Sequence, residues 1–185
     1  MSQAAEKFLT FDDLIAANTD GRYELVDGRL EELVSPRPSH SWSELQIAML
    51  VGRYLDAHEP GAFYGVELDI PTLPHFGRRP DFAYHSAEQA RRGIDRERDL
   101  VTGSPTLVVE VVSPGDQERD TVIKPAEYAR TGIPHYWIFD PANSTATLLE
   151  LKGRTYEMVG EFHRDETVTT SLFPGLEIPL TKVLR

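Results

Sequence analysis

Residues 106–112 read TLVVEVV, and no other stretch restricts the architecture as much. Five of the seven residues are apolar, with none of the strict alternation that a half-exposed strand shows. A run this short and continuous predicts a strand buried on both faces, in the interior of a sheet with cover on either side. Ser113-Pro114 ends it, because the residue before proline avoids the helical region. Inside the run stands Glu110, and an isolated ionised carboxylate is costly to desolvate. Either a cation pairs with Glu110, or the strand ends at an opening where charge is wanted.

The rest of the chain builds around that strand. TFDDLIAAN predicts a short helix with Thr10 and Asp13 in capping-box spacing. RYELVDGRLEELV places apolar runs around Asp27-Gly28, a strong short-range hairpin signal. SWSELQIAMLVGRYLDAH predicts the main helix, opened by Ser41 and Glu44 in capping-box spacing, with Leu45, Ala48, Met49 and Leu55 recurring near the helical period. AFYGVELDI and PDFAYH are strand-like, and a loop or irregular helix runs from there through Gly103. A helix from Pro125 to Arg130, with Gly132 at its end, precedes the buried strand HYWIFD, where at least one of Tyr136 and Trp137 belongs to the core. TATLLEL, TYEMVGEF and TVTTSLFPGLEIPL close the chain. The order predicts one α/β or α+β domain over residues 1–185, and at 185 residues with 40% apolar content the chain can build a sufficient core.

Composition narrows the chemistry. No cysteine is present, which excludes disulfides, thiolate metal sites and a cysteine nucleophile. The N-terminal stretch lacks the basic start and apolar run of a signal peptide, and no apolar run approaches membrane-spanning length, so a cytoplasmic protein without membrane association is expected. The formal charge of -11 argues against a nonspecific nucleic-acid coat. Residues 78–98 alone have a basic balance, six arginines against four acids. That segment suits a phosphate backbone, and it equally suits a solvated face with internal ion pairs.

Three groups stand out for chemistry: Asp81, Glu110 and Lys124. Two carboxylates at neighbouring strand ends repel unless a cation sits between them, and hard divalent ions take such oxygen ligands. A lysine nearby would orient an attacking water or offset charge on a phosphate. Spacing does not force this arrangement. Asp81 also suits a turn, Glu110 a buried ion pair, and Lys124 a helix start.

The landmarks RYELVDGRL, SPRPSHSW, RRPDFAY, PTLVVEVVSPGDQERD, KPAEYARTGIPHYWIFDP and LFPGLEIPL occur in this order between about Phe11 and Leu180. In this the chain resembles a bacterial family of restriction-endonuclease-like proteins within the PD-(D/E)XK nuclease superfamily. The resemblance implies a mixed central sheet flanked by helices, here with an N-terminal hairpin and C-terminal strands. It implies Asp81 as a metal ligand, Glu110 as a second, and the backbone carbonyl of Val111 as a third, with Mg²⁺ or Mn²⁺ as the ion. The superfamily's lysine falls two residues after the glutamate, where this chain has Val112. Lys124, on the next helix, matches the position to which the lysine has moved in the family resembled. Asp120 and Tyr128 flank it at four-residue intervals, but Pro125 suits a first helical turn and leaves Asp120 in a loop.

Superfamily nucleases often present a carboxylate from the first core helix, which adds Glu44 as a candidate beside its capping role. Glu67 is a candidate for approach to the metal through water, and Glu24 carries a similar ambiguity. His40 and His135 read as structural histidines, and Gln117 as a substrate contact by proximity alone. The function implied is metal-dependent hydrolysis of DNA, with a homodimer common for this architecture. A non-catalytic binder of nucleic acid or protein on the same fold, and a phosphodiesterase acting on RNA or nucleotides, stand as alternatives.

Overall fold

The computed structural model describes residues 8–184. Part of the stretch read as lacking a leader, residues 1–7, lies outside the described residues. The chain opens with α1 (Phe11–Ala17), whose Thr10–Asp13 capping box forms as the spacing predicts. The hairpin β1 (Tyr23–Val26) and β2 (Arg29–Glu32) follows. Its turn puts Asp27 at φ 48° and Gly28 at φ 73°, the left-handed pair that a tight antiparallel connection requires. Then come α2 (Pro38–His58), β3 (Phe63–Gly65), β4 (Ile70–Pro71), β5 (Gly77–Arg78) and β6 (Phe82–His85). Next are α3 (Ala87–Gly93), the small hairpin β7 (Ile94–Asp95) and β8 (Leu100–Val101), and β9 (Leu107–Val111). A helical path through Arg119–Ile123 and α4 (Lys124–Thr131) leads to β10 (His135–Asp140), β11 (Thr145–Lys152), β12 (Thr155–His163), β13 (Thr167–Val168), β14 (Ile178–Pro179) and α5 (Leu180–Val183).

Six strands form the main sheet in the order β12-β11-β10-β9-β6-β3. β9 runs parallel to β10 and antiparallel to β6, and all five of its residues are buried, as the lack of polar alternation predicts. Alternation divides it between two layers. Leu107, Val109 and Val111 pack with Ile47, Val51 and Leu55 of α2. Val108 and Val112 pack with Tyr128 of α4 on the other face, so Glu110 points toward α4. Tyr136 and Trp137 are both core residues. A second, four-stranded sheet, β2-β1-β5-β4, carries Glu24 and Arg78. Among the described residues no helix is long and apolar enough to cross a membrane.

The structure corrects several local expectations. α2 begins at Pro38, not Ser41: proline occupies the first turn, where its missing N–H costs nothing, and Ser41 already donates its N–H to the Arg37 carbonyl. Glu44 is therefore not a capping residue. The buried face of α2 is Ser43, Ile47, Val51 and Leu55, while Leu45 and Met49 are 54% and 42% exposed. Ser43 fixes that rotation by donating its hydroxyl to the Val183 carbonyl at 2.6 Å. AFYGVELDI is not one strand, since the chain turns at Glu67 (φ 49°) and passes from the main sheet to the small one. The arginine-rich segment is largely ion-paired: Arg78 with Glu24 and Glu127, Arg79 with Asp69, Arg92 with Glu88, and Arg98 with Asp12.

Candidate active site

Strand pairing closes the gap between the two predicted acids. Phe82 stands opposite Val109, which sets Asp81 beside the end of β9, and Val111 donates its N–H to Asp81 Oδ2 at 2.5 Å. A strand residue turns its N–H and C=O to the same edge, so the Val111 carbonyl faces the Asp81 side as well. Glu110 is 2% exposed, and both of its oxygens are engaged. Tyr128 donates its hydroxyl to Oε1 at 2.9 Å, and Lys124 Nζ lies 2.9 Å from Oε2.

Lys124 arrives there because the helix does not stop at Pro125. The preceding turn is π-helical, with the Lys124 N–H bonded to the Arg119 carbonyl five residues back. The wide turn absorbs the missing proline N–H, and the path continues into α4. Asp120 is thus helical rather than in a loop, and its Oδ1 lies 3.1 Å from Lys124 Nζ. Glu24, the ambiguous acid of the hairpin, approaches the same ammonium at 3.9 Å. Glu24 also accepts from Arg78 Nη1 at 2.8 Å, from Arg119 and from the Arg79 N–H at 3.1 Å. Arg78 in turn binds Glu127 at 2.6 Å.

Burial raises the carboxyl pKa of Glu24, but Lys124, Arg78 and Arg119 outweigh it and hold the group down to about 2. For Glu110 burial prevails: Lys124 pulls its pKa down, Asp81, Asp120 and Glu24 add to the rise, and the carboxyl is pushed up to about 8. Burial also raises Asp120 against the pull of Lys124. Lys124 itself loses charge stability to burial and regains more from Glu110, Glu24, Asp120 and Asp81, so its pKa lies above the ordinary lysine range.

The other side of Asp81 is more open. His40 Nε2 lies 3.0 Å from Asp81 Oδ1, and its Nδ1 lies 3.1 Å from Ser113 Oγ. Burial lowers the imidazole pKa, but the bond to Asp81 and the charges of Asp81, Glu44 and Asp120 raise it further. His40, Glu44 and Asp81 each offer a ligand atom within 4.8 Å of the others. This His/Glu/Asp cluster can coordinate a metal ion. An oxygen-dominated set with one imidazole suits divalent ions from magnesium to the first-row transition metals. A cleft of about 320 Å³ is bordered by Asp81, Glu110, Val111, Lys124, His40 and Asp120, with Arg22, Arg37 and Arg79 also in its wall.

Asp81, Glu110, Val111 and Lys124 therefore come together, and Glu44 joins them through Asp81. Glu67 does not: it pairs with Arg22 and lines a second cavity of about 260 Å³. Gln117 is exposed and is not among the residues lining the cleft. His135 is a half-buried structural histidine at the start of β10, its pKa lowered by burial. The residue missed as a candidate ligand is His40. Its signal was Pro38, which starts the helix early enough to set His40 and Glu44 four residues apart on one face.

Known proteins bear on this arrangement. A crystal structure described as a "putative nuclease belonging to DUF820" from Anabaena variabilis superposes with a TM-score of 0.74 at 16% identity, covering 95% of this chain and 97% of that one. This likeness is one of fold, a restriction-endonuclease-like mixed sheet with helices on both faces. No curated protein matches the sequence. The family Uma2, described as "Putative restriction endonuclease", matches residues 5–181, so the chain belongs to that family, related to the PD-(D/E)XK nucleases.

Proposed function

We propose that the protein is a metal-dependent phosphodiesterase that hydrolyses DNA, using Mg²⁺ or Mn²⁺. The observation that carries this reading is that Asp81, Glu110 and Lys124, from three separate parts of the chain, border one open cleft. Asp81 and Glu110 would hold the ion together with the Val111 carbonyl, and His40 and Glu44 extend the available donors on the Asp81 side. A divalent ion bound there supplies Lewis acidity, which lowers the pKa of a bound water and offsets charge on phosphoryl oxygens.

The chain's own groups have separable parts in this reading. Because its pKa is raised, Lys124 remains an ammonium at neutral pH. It acts as a donor that orients the attacking water or meets charge on the phosphate, and not as a general base. Glu110 and Asp120 hold that ammonium in place, and Tyr128 fixes the second oxygen of Glu110. The Val111 N–H orients Asp81. Cutting both strands of a duplex asks for two such clefts, so a homodimer belongs to this reading, as does a cytoplasmic location.

The test is nicking and linearisation of supercoiled DNA with Mg²⁺ or Mn²⁺, comparing the native chain with D81A, E110A and K124A. Each variant is expected to lose cleavage; activity surviving all three replacements would sink the mechanism. One observation favours a second reading, binding of nucleic acid without hydrolysis: both oxygens of Glu110 are already engaged, by Tyr128 and Lys124. Retention of DNA without cleavage, and without measurable uptake of Mg²⁺ or Mn²⁺ by calorimetry, would select it.

A further inference from the structure

We propose that Arg22, Arg37 and Arg79 form a phosphate-binding wall of the cleft, which seats a nucleic-acid backbone beside Asp81 and Glu110. The substrate class rests on the reading of the protein as a nuclease. The need for such a wall follows from charge. Glu24, Asp81, Glu110, Asp116 and Asp120 all border the cleft, in a chain of net charge -11. A polyanion approaches such a surface only where cations face it. The inner cations are already committed: Lys124 to Glu110 and Asp120, Arg78 to Glu24 and Glu127, and Arg119 to Glu24.

The three wall arginines differ from these. Arg37, exposed at the start of α2, has no ionic partner among the described residues. Arg22 spends Nη2 on Glu67, which leaves Nη1 outside that pair. Arg79 binds Asp69 through Nε and Nη2, at 2.9 and 2.8 Å, which leaves Nη1 outside that pair. The balancing acids Glu67 and Asp69 line the second cavity, not the cleft. Each guanidinium thus presents N–H donors in the cleft wall while its counter-charge lies elsewhere, and guanidinium donors match phosphate oxygens. The arginines come from three places in the chain. Of the basic segment 78–98 only Arg79 joins them.

The experiment is anisotropy of a fluorescein-labelled DNA duplex binding the full chain in Ca²⁺ across a salt series, with intactness of the duplex checked on a gel. R22Q and R37Q are each expected to weaken binding roughly fivefold to tenfold at 0.1 M salt and to reduce the slope of log K against log salt by about 0.9. R91Q and R96Q, exposed arginines absent from the cleft wall, should leave both quantities unchanged. E67Q, which removes the counter-charge of Arg22 but keeps the arginine, should tighten binding; a purely structural role for the pair predicts weaker binding. Native affinity and slope in both R22Q and R37Q overturn the assignment, as does an equal loss in R91Q. Arginine-dependent binding by a chain that cuts nothing supports the wall and removes the nuclease reading. Cleavage that persists while R22Q and R37Q bind as the native chain does removes the wall alone.

Discussion

On one side of Glu110, the side chains of Arg78, Glu24, Glu127 and Lys124 are 1–6% exposed, and the charges pair among themselves. On the other side, His40 and Asp81 are 12% and 14% exposed and share ligand geometry with a half-buried Glu44. The two regions meet at the end of β9, Lys124 at Glu110 and Asp81 at the Val111 N–H, but differ in what they leave available. The buried network spends its donors and acceptors internally, and since a buried ion pair is weak support for stability, its consequence is positional: it holds Lys124 against Glu110. The open cluster keeps oxygen and nitrogen donors within reach of one ion. The closed region sets position, and the open one keeps ligand atoms available.

The comparison breaks most severely at Arg78. R78A leaves buried Glu127 without its cation and takes one of three cations from buried Glu24, and should cost about 3–5 kcal/mol in urea unfolding at neutral pH. A loss as small as that of an exposed ion pair would show that the network is not closed.

Acid is the next lever. Glu24 is depressed to about 2 from 4.5, so it contributes stability that is present above pH 4.5 and is lost as pH falls from there toward 2. The shift corresponds to about 3 kcal/mol. Unfolding free energies of the native chain and E24Q should converge at low pH; parallel profiles would refute the assignment.

At Glu110, between the two regions, the pH dependence has the opposite origin. Glu110, its carboxyl pushed up to about 8 chiefly by burial, takes up a proton more readily than an ordinary carboxyl and must give it up to bind an ion. Mn²⁺ affinity should rise by up to about tenfold per pH unit between pH 6 and 8 and level off above. Calorimetry in buffers of different ionisation enthalpy should register proton release at pH 7, and its absence would take Glu110 out of the ligand set. The smallest effect on stability belongs to His40. H40A should lower Mn²⁺ affinity about tenfold while changing unfolding free energy by about 1 kcal/mol or less.

Much of the frame was readable locally. TLVVEVV announced a central strand because its apolar run has no polar face to expose, and Asp27-Gly28 announced a hairpin because few residues accept two left-handed positions. The Thr10–Asp13 capping box formed as spaced. The Ser41–Glu44 spacing met the same rule and failed, because Pro38 had already started the helix one turn earlier. Asp120 was read as a loop residue because a proline marks a first turn in an ordinary helix. The π-turn that carries the helix across it has no local signature. Glu67 looked well placed for the metal along a straight strand, but its left-handed turn sends it to Arg22 instead.

By itself the sequence determined the interior strand, the anomaly of Glu110 within it and, by resemblance, the trio Asp81, Glu110 and Lys124. These are legible because each depends on near neighbours in the chain or on an ordered set of landmarks. Only the tertiary structure decided which charges neutralise which. Glu24 reaches Lys124 of α4 from the small sheet, His40 reaches Asp81 from α2, and Arg22, Arg37 and Arg79 converge on one cleft from separate positions in the chain. Electrostatic partners are set by distance in space, and packing of the small sheet and α2 against the ends of β6 and β9 sets those distances.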